Sequence, residues 1–220
     1  LFPIGILNYF SGKMSGFTQF FAKMIGIDSD INLGIEQMQI AVKYGGFSEI
    51  EASQTLAYIF LWMDQDFNQA RILSLNLKEQ FPNSIYNQFM YTESLIFLNK
   101  LSEAKKNLDL SYKIIKDLPI YTKVYWKPLL SYQKALIYFK FGDLEQSIDW
   151  INDCIRNYSS ELDTHLAYAF LLRANIHDLN KNRELAVMDY NKVIKLDNYT
   201  MAIQLSKKYI KKPYFEINNN

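Results

Sequence analysis

Apolar and polar positions along the chain follow the period of helices. From Leu166 to Ala174 the apolar residues Leu166, Phe170, Leu171 and Ala174 recur at spacings of three and four, which places them on one helical face. Polar turn residues such as Asp143, and the stretch from Asn180 to Asn182, divide these runs into segments of helix length. With only 8 Gly and 5 Pro, the sequence lacks the dense turn signals of an all-β fold.

The helical pattern is itself repeated. The stretch KNRELA ends at Ala186, FGDLEQS at Ser147, NKLSEA at Ala104 and DQDFNQA at Ala70, with a weaker copy, DSDINLG, ending at Gly34. Successive anchors lie 36, 34, 43 and 39 residues apart (70 − 34, 104 − 70, 147 − 104, 186 − 147). That clusters near the period of about 34 residues of two-helix tetratricopeptide units. With the anchor as the twentieth position of a unit, the eighth holds Ala22, Tyr58, Thr92, Ala135 and Ala174. Small residues at these two positions let antiparallel helices touch. The units fall near 15–48, 51–84, 85–118, 128–161 and 167–199. Residues 1–14 are expected to form an N-terminal helix or the remnant of an upstream region. Residues 199–220 are expected to hold a capping helix, stopped by Pro213, and a tail. The predicted fold is all-α: a right-handed α-solenoid of antiparallel helix pairs, about five repeats plus a C-terminal cap. The stretch YTKVYWKP, Tyr121 to Pro128, reads as the longest inter-repeat loop, with Tyr125 and Trp126 tucked under the next helix.

Several stretches carry a closer likeness. GIDSDINLGIEQMQIAVKYGG, EASQTLAYIFL with QFPNS, and ANIHDLNKNRELA with KKYIKKPY resemble uncharacterised, often secreted bacterial repeat proteins. That group is distantly similar to the eukaryotic inclusion-body-clearance repeat family of the mitochondrial outer membrane. Gly26, Asp30, Gly34, Pro82, Asp178, Arg183 and Pro213 carry the match, while Ala174 and Asn182 stand where the pattern tends to have Gly. The resemblance implies a longer protein and no catalytic residue. It also implies a bacterial source, with a periplasmic or envelope location if a signal peptide precedes this sequence and a cytoplasmic one otherwise.

The candidate chemistry does not change this picture. Net charge is +1 and no block of like charge occurs, so neither nucleic acid nor an anionic membrane is an expected partner. The Ser11–Lys13 stretch is followed by Met14, and Leu7 stands where a phosphate loop has its first glycine. Cys154, His165 and His177 lie ten or more residues apart, outside usual zinc spacings. Asp64 and Asp66 belong to a turn, where capping is the expected role. His177 falls at a packing position of a helical hairpin and Asp178 and Arg183 flank its turn, rather than forming a catalytic cluster. No catalytic, cofactor or metal residue is assigned, and no enzyme activity is expected.

Function is expected instead on the concave face, where positions 2, 5, 9 and 12 of each unit point in this repeat class. The predicted peptide groove comprises Thr55, Ile59, Trp62, Tyr86, Phe89, Glu93, Tyr132, Leu136, Phe139, Tyr168 and Asn175. Position 5 holds Thr55, Phe89, Tyr132 and Leu171 rather than Lys, so a clamp for chaperone C-terminal carboxylates is not expected. An apolar groove calls for an amphipathic helix or an extended apolar segment of a protein partner, with a membrane-associated adaptor as the alternative. The competing expectation is that curvature buries these aromatics as core.

Overall fold

The computed structural model describes residues 1–14, 16–196 and 198–215. Among them the chain forms twelve α-helices, one short 3-10 turn at Gly46–Ser48 and no strand. Five helix pairs can be followed along it. The pairs are α4 (Glu49–Trp62) with α5 (Phe67–Gln80), α6 (Ile85–Phe97) with α7 (Leu101–Lys116), α8 (Ile120–Lys140) with α9 (Leu144–Asn157), and α10 (Thr164–Leu179) with α11 (Arg183–Lys195). The fifth pair is α1 (Phe2–Lys13) with α3 (Ile31–Tyr44), and α12 (Met201–Lys211) packs on α10 and α11. The first helices of successive pairs, α4, α6, α8 and α10, also touch one another in an inner row. The result is an all-α solenoid.

Local chemistry explains where the helices begin and end. Asp30, Asp66, Ser84 and Asp143 cap α3, α5, α6 and α9, each accepting a backbone N–H of the first turn. Asp64, the other acid of the turn between α4 and α5, accepts the Tyr9 hydroxyl and pairs with Lys13, both at 2.8 Å. Within the hairpins Gln65, Asn99, Gly142 and Lys181 take positive φ, each five residues before its anchor at Ala70, Ala104, Ser147 or Ala186. Ser29 does the same before Gly34. After α6, α8 and α10 this residue is followed by an N–H that reaches back five residues: Lys100 to Leu95, Asp143 to Tyr138 and Asn182 to His177.

Two segments differ from the expected organisation. The partner of α3 is α1, not the helix at the start of the 15–48 stretch. A Cβ on Gly34 would lie 2.7 Å from the Gly5 carbonyl oxygen and 2.6 Å from the Tyr9 amide nitrogen, so this contact requires glycine on both helices. Gly5, rather than Ala22, therefore faces the Gly34 anchor. The intervening α2 (Gly16–Met24) packs on α1 and leaves Phe17, Phe20, Phe21 and Met24 exposed. The second difference is that Tyr121 to Pro128 is helical, forming the first turns of α8. Trp126 is buried as expected but Tyr125 is exposed, and Pro128 sits inside the helix. Pro128 has no N–H for the Val124 carbonyl, which instead faces the Ser159 hydroxyl at a long 3.5 Å.

Candidate functional site

The inner row curves so tightly that α4 meets α10 across the solenoid axis. Tyr168 on α10 donates its hydroxyl to the Trp62 carbonyl at 2.8 Å, and Tyr58 and Thr164 share a 2.7 Å hydrogen bond. His165, at the start of α10, inserts edge-on against Trp62 and Phe89, with ring centroids 4.7 and 5.0 Å apart. Burial holds this imidazole neutral, with its pKa lowered to about 3. Beneath it, Glu93 accepts Trp62 Nε1–H at 2.7 Å and the Tyr132 hydroxyl at 3.3 Å.

This arrangement corrects the expected groove. Ile59, Trp62, Phe89 and Glu93 are 0% exposed and form the closed centre of the axis. They are core because large side chains from facing helices meet there and exclude solvent. Thr55 and Tyr86 are half-buried and line a shallow recess of about 420 Å³ with Phe2, Glu51, Gln54 and Tyr58. Tyr132, Leu136, Phe139, Tyr168 and Asn175 are buried residues at the opposite end, where they help wall a cavity of about 300 Å³. The single groove is thus divided into two openings by a packed middle.

The 300 Å³ cavity draws on residues outside the expected set. Gln65 and Phe67 come from the α4–α5 hairpin, Phe97 from α6, Leu205 and Tyr209 from α12, and Tyr214 from the segment after it. The tyrosines belong to the stretch KKYIKKPY, whose paired aromatics were the available signal. Lys140 is the one charged residue on the wall among the described residues; Gln65 and Asn175 add uncharged polar groups. Asn175 is held by the Tyr190 hydroxyl, which its Oδ1 accepts at 2.9 Å.

The wall at α12 is fixed by a polar cluster. Arg183 donates to both Asp178 oxygens at 2.9 and 3.0 Å, and to the Tyr209 and Ile210 carbonyls at 2.8 and 2.6 Å. Asp178 also accepts the Tyr190 hydroxyl and the Tyr214 amide, at 2.9 and 2.8 Å. These residues tie the last helix to the hairpin before it. Cys154, His165 and His177 stay apart, and no group of three or more His, Cys, Asp and Glu is gathered among the described residues. Burial pushes the Cys154 thiol up to about 12, so at neutral pH it is not the reactive thiolate.

The paired helices, their left-handed hairpin residues and the inner row are the features that a repeat assignment needs. A family model described as tetratricopeptide repeat matches residues 130–160 and 167–200. The helix pairs α8–α9 and α10–α11 are thus similar to tetratricopeptide repeats. They supply α8 and α10, which carry most of the cavity's buried wall. A search of curated proteins found no match.

Proposed function

We propose that the chain is a non-enzymatic protein-interaction scaffold that holds an apolar anchor of a protein partner in the 300 Å³ cavity. The observation that carries this reading is the cavity itself, open to solvent and lined by aromatic and aliphatic side chains, with Lys140 as the one charge among the described lining residues. Tetratricopeptide repeats bind protein partners in general, which supports the class of ligand. A volume of about 300 Å³ suits one or two bulky side chains of an extended segment or helix, the usual form of an interface anchor. The residues proposed to meet it are Tyr132, Leu136, Phe139, Tyr168 and Asn175, with Tyr209 and Tyr214. Neutral, buried His165 and inert Cys154 support a scaffold over a catalyst.

A second reading, a membrane-associated adaptor, rests on α2. Phe17, Phe20, Phe21 and Met24 are at least half exposed, with Ile25 beside them, and Lys23 lies at their edge. Among the described residues no helix is long and apolar enough to cross a membrane, so the association would be at the surface.

Affinity capture from native lysate would compare wild type with Leu205→Trp, which fills the cavity from the half-buried side of α12. Lys106→Glu, on exposed α7, serves as the control. The scaffold reading expects a partner retained by wild type and by the control but lost from Leu205→Trp, whose circular dichroism stays native. Retention of every partner by folded Leu205→Trp would overturn it. Flotation with anionic vesicles decides the second reading: that reading expects binding by wild type and its loss in Phe20→Glu/Phe21→Glu.

A further inference from the structure

Charge of one sign borders the 300 Å³ cavity. Residues 201–215 contain four lysines, Lys207, Lys208, Lys211 and Lys212, and no Asp or Glu. The chain as a whole is nearly balanced, at +1, so this excess is local. The same stretch supplies Leu205, Tyr209 and Tyr214 to the cavity wall. Lys208 Nζ lies 5.5 Å from the centre of the Tyr209 ring, which brings that cation to the rim. Lys140, the last residue of α8, is on the wall itself.

All five lysines are exposed, and among the described residues none of the ion pairs includes them. Lysines near a helix C-terminus ordinarily serve its last carbonyls. In α12 the Tyr209 and Ile210 carbonyls are taken by Arg183, so that role is already filled. The acids close by are engaged elsewhere. Asp178 binds Arg183, while Asp66, between Gln65 and Phe67 of the wall, caps α5, and Asp143 caps α9. An apolar cavity takes up an apolar side chain, and cations at its rim favour anions beside that side chain.

We propose that the cavity takes an acidic peptide, its apolar anchor seated in the pocket and flanking Asp or Glu side chains meeting Lys140 and Lys208. This rests on the scaffold reading of the cavity and adds the chemistry of its partner. Burial of the anchor supplies affinity, and the carboxylates at the rim supply orientation and a faster encounter. Rim ion pairs are screened by salt, so the affinity falls as salt rises.

A phage library of short random peptides, selected on the whole chain, tests this. The enriched peptides are then titrated against wild type, Leu205→Trp, Lys140→Glu/Lys208→Glu and the Lys106→Glu control. Lys140→Gln/Lys208→Gln, with a smaller loss, takes the place of the double reversal if circular dichroism shows that the reversal disturbs the fold. The expected peptides carry a bulky apolar residue with Asp or Glu within about four positions of it. They bind Lys140→Glu/Lys208→Glu roughly tenfold more weakly than wild type, weaken with added salt, and are lost from Leu205→Trp. Peptides without acidic enrichment, rejected by Leu205→Trp but bound by the lysine variant as by wild type, would overturn the acidic partner and leave the scaffold reading standing. An empty selection, or peptides indifferent to Leu205→Trp, would overturn both. Anionic vesicles that bind wild type and Leu205→Trp but not the lysine variant, with no acidic peptide enriched, would assign the lysines to a lipid surface and overturn the proposal as well.

Discussion

Gln65, Asn99, Gly142 and Lys181 occupy equivalent turns with φ between 58° and 79°, yet only one of them is glycine. In this left-handed region a Cβ crowds the following carbonyl, a strain that glycine avoids and asparagine partly relieves. Lys181 is an exposed side chain with neither advantage. Lys181→Gly is therefore expected to stabilise the chain by about 1 kcal/mol in urea unfolding, while Gly142→Ala loses about as much. A loss on Lys181→Gly would mean that the lysine makes a compensating interaction. At this scale the sequence was informative: Asn180 to Asn182 and Asp143 marked turns correctly, because turn residues act locally. What a single residue could not reveal was burial. Glu93 reads as a surface charge until the helices on both sides of it are in place.

At the scale of elements, hairpins were legible and longer returns were not. Ala174 and Ala186 are twelve residues apart, so one helix, one turn and the next helix account for the packing of α10 on α11. Gly5 and Gly34 are 29 apart (34 − 5), and α2 intervenes; periodicity cannot tell which upstream helix returns to α3. A helix start near Pro128 was likewise a fair reading of a proline, but the helix passes through it. The last element, α12, is held by charge as well as by its apolar face. Arg183 satisfies Asp178, whose side chain is fully buried, and takes up two of the last carbonyls of α12. Arg183→Ala would leave a buried carboxylate unpaired and those carbonyls unsatisfied. The expected loss is on the order of 3 kcal/mol, with faster proteolysis between α11 and α12. Cleavage and stability equal to wild type would show that the apolar face alone docks the helix.

For the whole molecule, the governing fact is that α4 and α10 meet across the axis. Unit positions say which side chains point inward, but whether facing helices then touch depends on curvature and on the sizes of Trp62, Tyr132, Tyr168 and His165. That is why the sequence could name candidate concave residues but could not choose between groove and core. Closure leaves the α12 end as the concave-side opening walled mainly by aromatic and aliphatic side chains, and the proposed binding site follows from it. Hydroxyl-radical footprinting of the folded chain measures this directly, residue by residue. The account predicts that Trp62, Phe89 and Tyr132 are oxidised only when the protein unfolds, while exposed Phe20 and Phe47 are modified rapidly in the native state. Native-state oxidation of Trp62 and Phe89 at rates like that of Phe20 would mean an open groove, and would contradict the closed axis.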